Sequence, residues 1–185
     1  MNVNDSVQVY RGYVETYDWL VAIIRELPET EFTLVPIGRV SREKKRTVDM
    51  LREDTSFKLV SRLESDLKRD LRETIEWGTS TAEPLSVAYN NLWMSWHAEY
   101  NSDDLDRFLR YTRFEEMLDV IRTKLSASDQ VLATACSYLK ARYNSFRHWY
   151  AHGRTVKSAP YIPPPAGIAP HCEIVARAVI ARPGR

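Results

Sequence analysis

The chain has 185 residues, with 26 lysines and arginines against 25 aspartates and glutamates, so its formal net charge is +1. Apolar residues make up 44% and charged residues 28%, which excludes a disordered chain and is typical of a soluble globular domain with a sizeable core. The apolar runs are too short for a membrane-spanning helix, and the first residues have neither the basic start nor the apolar stretch of a signal peptide. We therefore expect a cytoplasmic protein that makes no membrane contact.

The sequence contains two cysteines, Cys136 and Cys172. One pair of cysteines does not make a disulfide scaffold, and neither residue has the spacing of a zinc knuckle. A reduced cytoplasmic setting without a cofactor is the simpler expectation.

Five segments have helical periodicity, and the first of them opens the domain. It runs from about Val9 to Leu27 and ends before a proline. Its apolar stripe consists of Val14, Tyr17, Val21 and Ile24. Residues 28–38 predict a connection, with a short extended piece at Phe32–Val35.

A basic run precedes the second helix. Residues 39–46 contain five basic side chains and are expected to open a helix. Their charges form either a solvated helix face or a phosphate-contacting patch. The second clear helix is Phe57–Trp77, which Gly78 ends. Its apolar repeat consists of Val60, Leu63, Leu67, Leu71 and Ile75.

The third helix follows Pro84, a residue that suits a first helical turn. It has a broad aromatic stripe, and stripes at this spacing usually belong to a core. His97 lies beside the stripe and is interpreted as structural. The stripe consists of Leu85, Ala88, Tyr89, Leu92, Trp93, Trp96 and Tyr100.

Two more helices complete the predicted domain. The fourth begins at residues 102–104, whose side chains can cap it, and has its apolar face between Leu105 and Leu125. The fifth begins near Asp129 and runs to His152, with a glycine in the stop position. Helices of this length joined by short loops predict an all-α fold, an antiparallel bundle.

The C-terminal part of the chain differs from the rest. Residues 155–185 hold six of the nine prolines, and we interpret them as a Pro-rich extension of the α-helical domain 1–154. This extension is a poor helix former until Glu173–Ile180. That apolar piece is expected to be a short helix or strand that packs on the domain or contacts a partner.

Acidic residues are absent between Asp129 and Glu173, although the same stretch holds five lysines and arginines and three of the four histidines. Two interpretations are open. The stretch either creates a local positive field that attracts phosphates, or combines a core helix and a Pro-rich tail that are simply poor in acids. The cations are Lys140, Arg142, Arg147, Arg154 and Lys157.

The fifth helix separates apolar from polar positions when its residues are placed at about 100° intervals. Asn144, His148 and His152 follow one another at four-residue steps, with Lys140 one step further down the same row. Arg147 lies at the edge of the apolar arc, so the histidines are expected to face solvent or a second subunit. The apolar arc consists of Val131, Leu132, Ala135, Leu139, Phe146 and Tyr150.

Arg147 and His152 suit metal-independent cleavage of RNA. Histidine moves protons near neutral pH, and the guanidinium fork fits a phosphate. A base removes the 2′-hydroxyl proton, a cation holds the developing charge, and an acid protonates the leaving oxygen. The two side chains point about 140° apart on an ideal helix, so either a flexible arginine closes the gap or two subunits pool their residues across a two-fold axis.

The motif resembles the hallmark of the HEPN superfamily: arginine, a polar residue, a few others and histidine near the end of a bundle helix. In this sequence it is Arg147-His148-Trp149-Tyr150-Ala151-His152, followed by Gly153-Arg154. The segment Leu59–Ser65 also resembles an early helix of several bacterial HEPN proteins. The resemblance covers residues 50–154.

The resemblance implies a homodimeric α-helical bundle with facing motifs and metal-independent endoribonuclease activity, often in toxin–antitoxin or phage-defence systems. Arg147 and His152 would be catalytic and His148 the polar second position. An antitoxin or a defence-system protein would be the partner. Some family toxins carry a modified tyrosine two residues after the histidine, where this chain has Arg154. The expected RNA-binding side chains are Lys140, Asn144, Arg142 and Arg154.

Three alternatives remain open at the level of the sequence. The motif is also compatible with a polar helix end before a capping glycine. His148 and His152 could chelate zinc, with His97, His171 or Cys172 as a third ligand. The same basic surface could serve a module that binds nucleic acid or nucleotides without catalysis.

Overall fold

The computed structural model describes residues 3–28, 39–78, 83–126, 129–151 and 161–180. Over these ranges the protein is all-α, as the sequence predicts, and they contain no strand. The expected extended piece at Phe32–Val35 lies outside them. The helices are α1 (Val3–Glu26), α2 (Val40–Trp77), α3 (Pro84–Tyr100), α4 (Leu105–Tyr111), α5 (Phe114–Leu125), α6 (Gln130–Ala151) and α7 (Pro165–Ile180).

Helices α1 and α2 run antiparallel. The Lys44 ammonium, near the start of α2, donates to the carbonyl oxygens of Arg25 and Leu27 at the end of α1. Further along α2, the buried Asp66 carboxylate accepts a hydrogen bond of 3.0 Å from the Tyr10 hydroxyl near the start of α1. Helix α1 begins six residues before the predicted Val9, and the added residues include Val7, which is 3% exposed.

Helix α2 is one continuous rod of 38 residues, where the sequence predicted a basic helix start and a separate helix from Phe57. Neither proline nor glycine occurs between Val40 and Trp77, so no residue forces a break. Its predicted end is confirmed, since Gly78 adopts a left-handed conformation with φ of 55°. The ladder of Leu59, Leu63, Leu67 and Leu71 is at most 1% exposed and forms the centre of the core.

Helix α3 begins as predicted, with Pro84 in its first turn and the Glu83 carboxylate accepting from backbone N–H groups. The start of the aromatic stripe is buried, with Tyr89 fully enclosed, and Trp93 and Trp96 are half-buried and pack against the core. The assignment of the stripe to the core is wrong only for Tyr100, which is 51% exposed. His97 is held by Asp103, 2.9 Å from its Nδ1 atom.

The predicted fourth helix consists of two helices, α4 and α5. Asp104 caps α4 as expected, accepting a hydrogen bond of 2.8 Å from the Arg107 N–H. The chain then breaks at Thr112, whose backbone and side chain both bond the carbonyl of Phe108. Arg113 is extended, and its N–H donates to the carboxylate of Glu116 in the first turn of α5.

Helix α6 is capped by Asp129, which accepts from two backbone N–H groups. It runs antiparallel to α5, since Lys140 reaches Asp119 while Cys136 lies beside Arg122. Val131 is 62% exposed, so its assignment to the core is wrong. The core-facing residues are Leu132, Ala135, Cys136, Leu139, Tyr143, Phe146 and Trp149.

Helix α7 is buried against α1, α2 and α6. Helix formation begins at Pro165 rather than at Glu173, because this proline occupies the first turn, where it is tolerated. Pro170 faces solvent, so water can satisfy the carbonyl that lacks its helical donor. The buried side of α7 consists of Ile168, Ala169, Cys172, Val175, Ala176, Val179 and Ile180.

None of the helices in the described ranges is long and apolar enough to cross a membrane.

Candidate functional site at the end of helix α6

The last turns of α6 are anchored on their inner side. Phe146 is fully buried, and Trp149 is 7% exposed. The Tyr150 ring stacks on Phe57 of α2, with ring centroids 4.4 Å apart, and its hydroxyl donates to Asp54 over 3.1 Å. The helix therefore keeps its direction and rotation up to the point where the motif lies.

The register of α6 separates the motif positions. Taking the fully buried Leu139 as the inner direction, position 148 lies on the opposite side, at about 180°, and position 144 at about 140°. Position 147 lies about 80° from Leu139, at the edge of the core-facing arc. The backbone of both 147 and 148 belongs to α6, whereas His152 and Arg154 lie outside the described residues.

The two described cations of the predicted RNA-binding set lie on different edges of α6. Lys140 lies at about 100° from Leu139 and Arg142 at about 60° in the other direction, so they do not form one cluster. The Lys140 ammonium is paired with Asp119 of α5. The Arg142 guanidinium lies 5.6 Å from the ring centroid of Tyr161. Lys140 shares its side of the helix with position 144, whereas Arg142 does not.

Acidic side chains of α2 and α5 lie beside α6, although residues 130–172 contain no acidic residue. Asp119 of α5 pairs with Lys140, and Asp54 of α2 accepts from Tyr150. Asp54 is itself paired with Lys58 over 2.7 Å. The positive field of α6 is consequently weaker on its α5 side than the sequence alone suggests.

The structure does not favour Cys172 as a third ligand of the zinc site that the sequence left open. Cys172 is 0% exposed within the core, and burial raises the pKa of its thiol well above the ordinary value. Metal binding requires the thiolate, which this environment disfavours. His171 stacks on Tyr138 with ring centroids 4.1 Å apart, and burial lowers its pKa. Across the described ranges, no three His, Cys, Asp or Glu side chains are grouped to hold a metal ion.

The structure also reveals an aromatic groove between α3 and the α4–α5 corner, which the sequence interpretation did not include. We define this aromatic groove by Trp96, Tyr100, Arg107, Phe108 and Tyr111, which line a cavity of about 590 Å³. Its signal in the sequence was the continuation of the α3 aromatic stripe past its buried half. The groove also depends on the break between α4 and α5, which the sequence did not predict.

Comparisons of this chain with protein-family models, with curated proteins and with solved structures found no match. The fold defines the chain as an all-α protein with a buried helix, α7, packed against α1, α2 and α6. The interpretation of the α6 motif therefore depends on the residues of this chain alone.

Proposed function

We propose that the protein is a metal-independent endoribonuclease of the HEPN type, acting as a toxin or phage-defence effector through Arg147, His148 and His152. One observation supports this most strongly: α6 is anchored by Phe57 and Asp54 on one side while position 148 lies on the other. A site at this helix end has a rigid support and an outward face, as a positioned acid or base requires.

In the proposed reaction, His152 accepts the proton of a ribose 2′-hydroxyl, which attacks the adjacent phosphorus. The Arg147 guanidinium stabilises the charge on the phosphorane oxygens. A second histidine, from His148 or from the other subunit, protonates the leaving 5′-oxygen. The products are a 2′,3′-cyclic phosphate and a 5′-hydroxyl, which balances both protons.

The first experiment incubates purified protein with RNA in EDTA and identifies the termini. Wild-type protein should cut and leave 2′,3′-cyclic phosphate ends, and His152→Ala and Arg147→Ala should each abolish cutting without unfolding the chain. Arg177→Ala is the matched control, because it removes an exposed arginine from α7. Binding without cutting would overturn the endoribonuclease and favour a non-catalytic nucleic-acid module; loss of activity in EDTA would favour the metal interpretation.

The composite dimer site is tested by mixing the two inactive variants. If each site takes its arginine from one subunit and its histidine from the other, a mixed dimer contains one intact site and one doubly altered site. Equal mixing should then restore about a quarter of the wild-type activity. A strictly monomeric active protein, or no recovery in demonstrably mixed dimers, would overturn the shared site.

The biological role has a separate readout. Expression of the wild-type chain should arrest growth, and either inactive variant should relieve the arrest. Growth arrest that persists in both variants would contradict a role as an RNA-cleaving toxin.

A further inference from the structure

The aromatic groove presents open ring surfaces to solvent. Tyr100 at the end of α3 is 51% exposed, and Tyr111 at the end of α4 is 64% exposed. Trp96 lies between them and the core, with its ring centroid 5.2 Å from that of Tyr100. Phe108, which is 3% exposed, contacts Trp96 edge-on and forms the floor. Rigid aromatic rings at such exposure are suited to stacking against a planar ligand.

Two rings of the groove, those of Trp96 and Phe108, are held in place by further aromatic contacts. Trp93 stacks on Trp96 with centroids 5.7 Å apart, and both contact Phe108 in edge-on geometry. Phe108 is also the residue whose carbonyl accepts both hydrogen bonds from Thr112 at the α4–α5 corner. The floor therefore has a fixed position relative to both helices that flank the cavity.

Most charged side chains that line the aromatic groove have a partner within it. The Arg113 guanidinium is bound by the Glu116 carboxylate over 2.6 and 2.8 Å. A hydrogen bond with Glu99 raises the pKa of the Tyr100 hydroxyl, and the charge of Arg107 opposes that shift. Both carboxylates of the groove thus have partners within it.

Arg107 is the available cation. Its guanidinium lies 6.0 Å from the ring centroid of Tyr111, and no carboxylate of the described ranges pairs with it. It therefore lies beside one exposed ring and acts electrostatically on the other. A stacked ligand that carries an anionic group could place that group at this arginine.

We propose that the aromatic groove binds an unpaired nucleotide of single-stranded RNA, with the base stacked among Trp96, Tyr100 and Tyr111 and the phosphate at Arg107. A cavity of about 590 Å³ holds one nucleotide and leaves room for the chain to enter and leave. Stacking on aromatic rings beside a cation is the usual way in which proteins hold unpaired bases. The choice of RNA rests on the proposed function, but the groove itself is separate from the α6 motif.

The test measures binding of a fluorescently labelled single-stranded oligonucleotide with 2′-fluoro sugars by anisotropy. This RNA lacks the attacking hydroxyl, so its binding does not depend on cleavage. Tyr111→Ala should weaken binding about fivefold or more, because a stacking partner is lost, whereas Tyr111→Phe should retain it. Both variants should fold, since Tyr111 is mostly exposed.

The contribution of Arg107 is measured by the salt dependence of binding. Arg107→Ala should lower the slope of log affinity against log salt concentration by about 0.7, the value for one phosphate contact on a single strand. Arg110→Ala is the matched control, because Arg110 is also exposed on α4 but does not line the groove. If both arginine variants change the salt dependence equally, the oligonucleotide binds through non-specific surface charge, and the proposal is overturned.

Competition with adenosine monophosphate distinguishes RNA from a free nucleotide. If the mononucleotide binds as tightly as the oligonucleotide, the groove is a nucleotide site and the RNA proposal fails. Retained oligonucleotide affinity in Tyr111→Ala overturns the groove even if the wild type cuts RNA. Groove-dependent binding of this oligonucleotide, together with no cutting of unmodified RNA, overturns the endoribonuclease and leaves the groove in place.

Discussion

Tyr150 connects the fold to the proposed site, and its truncation is the most informative single perturbation. The side chain belongs to the motif, yet it points to α2, where it stacks on Phe57 and donates to Asp54. Tyr150→Phe removes only the hydrogen bond, whereas Tyr150→Ala also removes the ring. The pair of variants therefore separates the two contacts that hold the end of α6.

The expected losses follow from the geometry. A hydrogen bond to a carboxylate contributes about 1.5–3 kcal/mol, but Asp54 is 41% exposed and shared with Lys58, so about 1 kcal/mol is expected for Tyr150→Phe. The stacked ring adds about 0.5–1.5 kcal/mol beyond its burial. Because Tyr150 is half-buried, Tyr150→Ala should lose about 2–3 kcal/mol in total.

Urea denaturation followed by circular dichroism measures these losses, and native-state hydrogen exchange localises them. The amides in the last turn of α6 should exchange faster in Tyr150→Ala, because local opening no longer breaks the contact with α2. Tyr111→Phe is the matched control: its hydroxyl is on a ring that is 64% exposed, so its effect should stay below about 0.5 kcal/mol.

Two outcomes would refute the reasoning about Tyr150. If Tyr150→Ala costs less than about 1 kcal/mol, the end of α6 is not anchored by this side chain. If the loss is large but exchange in the last turn is unchanged, the contact stabilises the whole domain without holding the motif. In either case the rigid support invoked for the α6 site would be absent.

Two further predictions concern stability. Burial raises the pKa of the Cys136 thiol from 9.0 to about 12, so the folded chain holds this proton more tightly than the unfolded one. The contribution of this proton to the free energy of unfolding is complete below pH 9.0 and is lost as the pH rises toward about 12. In urea denaturation, Cys136→Ala should reduce the fall in the free energy of unfolding by up to about 1.4 kcal/mol per pH unit. An unchanged slope of that free energy against pH would show that the thiol does not titrate in this range. Ser56→Ala should cost about 1–2 kcal/mol, because it leaves the buried Pro163 carbonyl without its 3.1 Å donor. The control Ser65→Ala, exposed on the same helix, should cost less than about 0.5 kcal/mol, and equal losses would contradict a role for the Pro163 contact.

Much of the fold could be predicted because its strongest signals are local. The α2 leucine ladder, Pro84 at the start of α3 and Gly78 at the end of α2 each act within a few residues. The continuity of α2 was missed because residues 46–56 are mostly polar and carry little helical periodicity. The helix persists there because no proline or glycine breaks it and its ends are held by tertiary contacts.

The α4–α5 corner could not be predicted because it contains no glycine or proline. Helix α4 stops where the backbone of Thr112 becomes extended, and the Arg113 N–H then bonds Glu116 to cap α5, a break that leaves no distinctive residue pattern. The buried Asp66 was missed for a related reason. A charged residue between leucines is usually solvated, and only the positions of Tyr10, Arg62 and Arg69 reveal that it is paired.

The candidate site was only partly accessible from the sequence. The outward position of residue 148 follows from helical periodicity and agrees with the burial of Leu139, Tyr143 and Phe146. The acids that approach α6 come from α2 and α5, and no inspection of residues 130–172 could have revealed them. The same periodicity places Lys140 and Arg142 on different edges of the helix, although the two residues are only two positions apart in sequence.

The placement of α7 has a consequence for the order in which the protein is made. Helices α1 to α6 precede α7 in the chain, yet α1, α2 and α6 all cover its apolar surface. During translation, the apolar surfaces of α1, α2 and α6 that pack against α7 stay uncovered until residues 165–180 emerge from the ribosome. A nascent chain that stops before α7 would expose these surfaces, so it should be recognised by chaperones and proteases before α6 has its final support. Synthesis of α7 thus times the completion of the core that it shares with α1, α2 and α6.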